Sequence, residues 1–161
     1  MPDFIVTFLA DTLVVPIALI AGYVFLVLVP NNRKFDVYSR IIMAGLTAYL
    51  AAKLLALVYQ PGVERPFEML GAEPGASYLN NPGFPSDHAL FTAFLTFAVW
   101  FGAGSKKIAV VLAVLTLLVC TGRVLALVHT PLDVVGGIAV AAIGAVWYSI
   151  PHAAIVSRKK K

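Results

Sequence analysis

Long apolar runs alternate with short polar breaks along this chain. Residues 12–30, 41–60, 88–103, 108–128 and 132–150 carry almost no charge. A helix needs roughly 20 apolar residues to cross a bilayer, so the pattern predicts five membrane spans. Residues 3–10 (DFIVTFLA) are apolar but too short to span, and are expected to lie in the interface or lead into the first span. Pro16 is expected to kink the first span near its start, which membrane helices tolerate. The breaks NNRKFDVYSR (31–40), GSKK (104–107) and HTPLD (129–133) read as short loops or turns. The break at 61–87 is different. It holds Pro61, Pro66, Pro74, Pro82 and Pro85 with Gly62, Gly71, Gly75 and Gly83, which makes it a long, turn-rich loop. Loops of that length are usually functional or disordered.

The expected fold is therefore all-α: an integral membrane bundle of five transmembrane helices, with an N-terminal interfacial helix as an option. One domain over residues 1–161 accounts for the length. Composition agrees, since mean hydropathy is +0.90 and charged residues make up 12%, about half the share usual in soluble domains. The net charge of +4 is concentrated, with Arg158 to Lys161 closing the chain. That tail reads as a juxtamembrane basic patch and not as a nucleic-acid surface. Cys120 lies inside an apolar run and reads as a small hydrophobe. Lysine and arginine favour cytoplasmic loops. With five spans and the N-terminus outside, 31–40, 104–107 and the tail share the cytoplasmic side, and 61–87 and 129–131 face out.

In that topology three polar clusters meet at the outer face: Glu64-Arg65-Pro66, Pro85-Ser86-Asp87-His88, and Arg123 with His129 and Asp133. Ionisable groups at such positions are functional candidates by default. Ser86 suits the N-cap of the third span, whose free amides and positive dipole end can hold a phosphate. Arg65 and Arg123 offer planar forks that match phosphate oxygens. Thr130 suits an N-cap and Pro131 the first helical position, which puts Asp133 in the first turn, within reach of His129. A carboxylate on one imidazole nitrogen fixes the tautomer and leaves the other to attack. His88 remains as proton donor to the leaving group. The set suits phosphoryl transfer, which needs chiefly positioning and positive charge. No cofactor or metal is expected, because His88 and His129 alone fall short of the three protein ligands usual for catalytic zinc.

These residues resemble the type 2 phosphatidic acid phosphatase superfamily of membrane lipid phosphatases. Its signatures are Lys-x6-Arg-Pro, Pro-Ser-Gly-His and Ser-Arg-x5-His-x3-Asp. The third appears as GRVLALVHTPLD, with Gly122 for the serine, and the second as PSDH, with Asp87 for the glycine. The first is partial: Arg65-Pro66 is present, but Val58 holds the lysine position and Lys53 lies five residues too early. The Pro-Ser-Asp-His variant resembles the bacterial undecaprenyl-diphosphatases of the superfamily. The resemblance covers about 41–150. It implies a helical bundle, usually of six spans, and a metal-independent site on the extracytoplasmic face of the cell membrane. It also implies a phosphohistidine on His129 oriented by Asp133, with His88 as acid, and phosphate bound by Arg65, Ser86 and Arg123. Asp87 is placed with the phosphate-binding group as the residue that marks the variant.

Each residue also has a plainer reading. Ser86 can be only a cap, Asp87 dipole compensation, Asp133 half of a capping box with Thr130, and Arg65 a lipid-headgroup anchor. His152 reads as interfacial. Tyr59, Phe67 and Phe84 read as packing aromatics that can also line a lipid entrance. Taken together, the motifs favour hydrolysis of undecaprenyl diphosphate to the monophosphate. The alternatives are another lipid phosphate (phosphatidate, phosphatidylglycerophosphate or lipid A) or a degenerate lipid-phosphate binding or transport protein. The expected partners are the lipid substrate and membrane lipids.

Overall fold

The computed structural model describes residues 4–62, 64–81 and 83–150. Pro82, His152 and the basic tail at 158–161 lie outside the described residues. The regular elements among the described residues are all helices, with no strand among them. We number six helices: α1 Phe4–Leu28, α2 Asn31–Val58, α3 Pro66–Met69, α4 Asp87–Ala103, α5 Lys106–Leu125 and α6 Pro131–Ser149. Four of them, α1, α2, α5 and α6, are long and apolar enough to cross a membrane, and α4 is a shorter apolar helix.

In the N-terminal half one of two readings is selected and one expectation changes. Residues 4–10 lead into the first span, as the opening turns of α1, which runs on to Leu28. Just before Pro16, residues Phe8–Thr12 adopt a wider π-helical turn, with Leu13 N–H donating to Phe8 O at 3.0 Å. Such π turns inside helices are frequent at functional sites. Residues 31–40 are not a loop but the first turns of α2, entered directly after Pro30. The segment has no internal proline or glycine to stop a helix, and Arg40 pairs with Asp36 one turn back at 3.0 Å. Arg40 Nη1 also donates to the carbonyls of Trp147, Tyr148 and Ile150 at 3.2, 3.4 and 2.7 Å. A polar stretch thus stays helical because its charge caps the carbonyl end of a neighbour.

Packing is inverted relative to a soluble domain. Large apolar side chains such as Leu19, Leu26, Leu46, Leu57, Leu117 and Ile143 face outward, whereas Ala44, Ala48, Ala89, Ala93, Val140 and Ala141 are buried. Between lipid-immersed helices small residues let backbones approach closely. On α6 a Cβ at Gly137 would overlap the Ser86 carbonyl and the Leu90 amide of α4, and one at Gly144 the Ala44 carbonyl of α2. The Gly137 approach sets α4 against α6, the two helices whose N-terminal ends carry the candidate chemistry, and the Gly144 approach sets α2 against α6. At the other end of the bundle Tyr38 Oη donates to Phe25 O at 2.8 Å, beside the Arg40 cluster. The starts of α2 and α5, with their lysines and arginines, therefore lie at the end opposite His88 and His129.

Candidate active site

The long loop is held where its polar groups meet the helix ends. Phe67 N–H donates to Leu127 O at 3.0 Å and Gly75 N–H to Ala126 O at 2.9 Å. Thr7 Oγ1 donates to Gly75 O at 2.8 Å. Leu127 has a left-handed backbone, φ 59°, uncommon for a residue with a bulky side chain. It turns the chain out of α5 into His129. Phe67 packs against Ala10, Ala126 and Val128 beneath this turn.

His129 and Asp133 come together as their spacing implied. Nδ1 of the buried imidazole lies 3.4 Å from Asp133 Oδ2. The same Oδ2 accepts the Thr130 N–H at 2.7 Å, and Thr130 Oγ1 accepts the Asp133 N–H at 3.2 Å. The capping box and the histidine contact are therefore one arrangement, not rival readings. Nδ1 has no aligned hydrogen-bond partner among the described residues. Burial outweighs the contact with Asp133 and holds the imidazole below its usual pKa, with Arg123 and Arg65 adding to that shift. The ring stays neutral near pH 7, with Nε2 as the nitrogen turned from Asp133.

On α4, Ser86 is the N-cap, its Oγ accepting the Ala89 N–H at 3.5 Å, and its own N–H donates to Asp133 O at 2.9 Å. Ser86 is fully buried and does not line the cavity described below. It ties the α4 end to the α6 end from behind. Asp87 and His88 do line the cavity. Asp87 Oδ1 lies 3.4 Å from Lys53 Nζ, so Lys53 reaches the site from α2. Val58 is 82% exposed and is not part of the wall.

Both arginines are buried. Arg65 Nη1 donates to Val128 O at 2.5 Å, and Nη2 to Leu79 O, Asn81 O and Asn81 Oδ1, each at 3.0 Å. Its guanidinium lies over the Tyr78 ring at 5.4 Å. Burial lowers its pKa, opposed first by Asp133, but an arginine so shifted remains charged. The Arg123 guanidinium donates through Nη1 to Asp11 Oδ1 at 2.7 Å, while its Nε has no partner among the described residues. His88 Nε2 lies 3.8 Å from the same Asp11 oxygen.

Arg65, Arg123, His88, His129, Asp87 and Lys53 share one cavity of about 690 Å³, with apolar walls that include Ala52, Ala56, Leu57 and Phe84. Tyr59 packs edge-on to Phe84, ring centroids 5.2 Å apart. The cavity offers fixed positive charge, a neutral buried histidine and a second histidine, beside an apolar wall suited to a lipid chain. Among the described residues no three His, Cys, Asp or Glu side chains are grouped as metal ligands.

Three residues of this site are absent from the motif-based expectation. Asn81 holds Arg65. A Cβ at Gly83 would stand 3.2 Å from Asp133 Oδ2 and 3.5 Å from both Arg65 Nη1 and His129 Nδ1, so the loop backbone itself stands against His129 and Asp133. Asp11, which reaches the site through Arg123 and His88 without itself lining the cavity, could have been noticed as an acid inside an apolar run, where ionisable groups are rare and functional. Searches for similar curated proteins and similar solved structures returned no match. The PAP2 superfamily model matches residues 37–155, which takes in Arg65, His88, Arg123, His129 and Asp133. This helical, membrane-type chain therefore belongs to the PAP2 superfamily, whose members are phosphatases.

Proposed function

We propose that the chain hydrolyses undecaprenyl diphosphate to undecaprenyl phosphate and inorganic phosphate through a phosphohistidine. The superfamily supports a phosphatase acting on lipid phosphates. The observation that carries the finer reading is the meeting of His129, His88, Arg65 and Arg123 on one cavity with an apolar wall. The choice of lipid rests on the Pro-Ser-Asp-His motif at 85–88.

In this reading His129 Nε2 attacks the terminal phosphorus, and the bond from phosphorus to the bridging oxygen breaks. The departing lipid phosphate takes a proton from His88. Asp133 receives the developing imidazolium charge through Nδ1, much as a buried carboxylate orients a catalytic histidine elsewhere. Arg65 and Arg123 stabilise the equatorial oxygens, which is where phosphoryl transfer gains most of its rate. Ser86 and the α4 N-terminus contribute through position and dipole, with Asp87 and Lys53 at the cavity rim. His88, now neutral, takes a proton from water as the water attacks phosphorus, and phosphate leaves His129. The reading has five spans, α4 included. The site faces the extracytoplasmic side of the cell membrane, opposite the lysines and arginines of 31–40 and 104–107.

The test is phosphate release by purified protein in detergent with EDTA, over undecaprenyl diphosphate, phosphatidate, phosphatidylglycerophosphate and a lipid A phosphate. Undecaprenyl diphosphate should be turned over fastest, and His129→Ala should abolish release. Preference for another lipid overturns the substrate, and full activity in His129→Ala overturns the chemistry. No release from any lipid favours a binding protein.

A further inference from the structure

Arg123 is the largest fully buried side chain among the described residues, and its partner is internal. Asp11 Oδ1 accepts Nη1 at 2.7 Å and stands 3.8 Å from His88 Nε2. One carboxylate oxygen therefore lies between the arginine assigned to phosphate and the histidine assigned to the leaving group. The other oxygen accepts the Ser77 N–H at 2.8 Å, and Ser77 is itself part of the cavity wall. The Asp11 side chain is 23% exposed, so it is not locked into the core as Arg123 is. A guanidinium presents its donors to carboxylate and phosphate in the same way. An ionised phosphate drawn to Arg123 would meet the Asp11 charge in a poorly screened setting.

We propose that Asp11 is a further residue of the phosphate site: its carboxylate holds Arg123 while the site is empty, and the substrate phosphate displaces it. The inference rests on the phosphate-site reading above. It explains how an arginine can stay buried without an uncompensated charge, a costly state. It also carries a selectivity. Free phosphate must compete with Asp11 using charge alone, whereas a lipid phosphate adds the contact of its chain with Ala52, Ala56, Leu57 and Phe84. The device favours lipid-linked over free phosphate and weakens product inhibition. Asp11 lies in α1, outside the matched residues 37–155.

The test is binding of inorganic phosphate to the full chain in detergent, by calorimetry and by phosphate-dependent thermal unfolding, with lipid phosphate release measured in parallel. Asp11→Asn keeps the size and an oxygen for the Ser77 N–H but removes the charge. It should bind phosphate about tenfold more tightly than wild type, the scale of one charge-assisted hydrogen bond. Asp11→Glu, which keeps the charge, should stay near wild type. Asp11→Ser is the second uncharged variant. Unchanged or weaker phosphate binding in Asp11→Asn and Asp11→Ser overturns the proposal, as does failure of both to fold with phosphate present. If wild type releases lipid phosphate while the uncharged variants bind phosphate no tighter, only the displacement falls. If neither wild type nor Asp11→Asn binds phosphate and no lipid is hydrolysed, the phosphate-site reading falls with it.

Discussion

Asp133 Oδ2 lies 2.7 Å from the Thr130 amide and 3.4 Å from His129 Nδ1. One oxygen closes the first turn of α6 and faces the imidazole, so helix entry and the placing of His129 are coupled. Asp133→Asn keeps an acceptor for the Thr130 amide and loses the charge that supports the imidazolium. The variant should fold, with a thermal midpoint near wild type, and lose kcat by on the order of 10²–10⁴-fold. A kcat within a few-fold of wild type would separate the cap from the chemistry.

Burial and the nearby arginines hold His129 below its usual pKa. A lowered pKa leaves Nε2, the nitrogen proposed to attack, unprotonated as pH falls through about 6.5, the ordinary imidazole value. The acid limb of kcat/KM, which reports the free enzyme, should therefore have its midpoint below pH 6.5. A midpoint above that value would mean that the Asp133 charge, and not burial, governs His129.

Lys53 Nζ stands 3.4 Å from Asp87 Oδ1 in the cavity wall, whereas Val58 is exposed and outside it. Lys53→Met should raise KM for the lipid phosphate several-fold and change kcat less. Val58→Lys, which restores the motif lysine in sequence, should leave KM nearly unchanged. Kinetics on both variants would show whether position in the fold or position in the motif matters.

Gly83 backs directly onto His129 and Asp133, and an added Cβ would stand 3.2 Å from Asp133 Oδ2. The carboxylate is pinned by Thr130 and has little room to give. Gly83→Ala should fold and lose activity by about 10- to 100-fold, in line with the cost of a misplaced catalytic group. Wild-type kcat in this variant would show that the loop yields instead.

Sequence alone determined the parts of the molecule that are local. Apolar runs marked the helices, and Thr130-Pro131 with Asp133 marked the start of α6. With Thr130 as cap, Asp133 falls in the first turn of α6, near enough to reach back to His129 just before the helix. The motif residues Arg65, His88 and Arg123 were legible for the same reason: each sits at a predictable helix end or loop. Tertiary structure decided the rest. Residues 31–40 are helical because Arg40 caps the far end of α6, a contact no local window contains. Ser86 turned out to be a buried tie between α4 and α6, because Gly137 lets the two backbones approach. Asp11 meets Arg123 across 112 residues of chain. A buried charge must find an opposite charge wherever the fold can bring one, and only the packing of α1 against α5 shows which one it found.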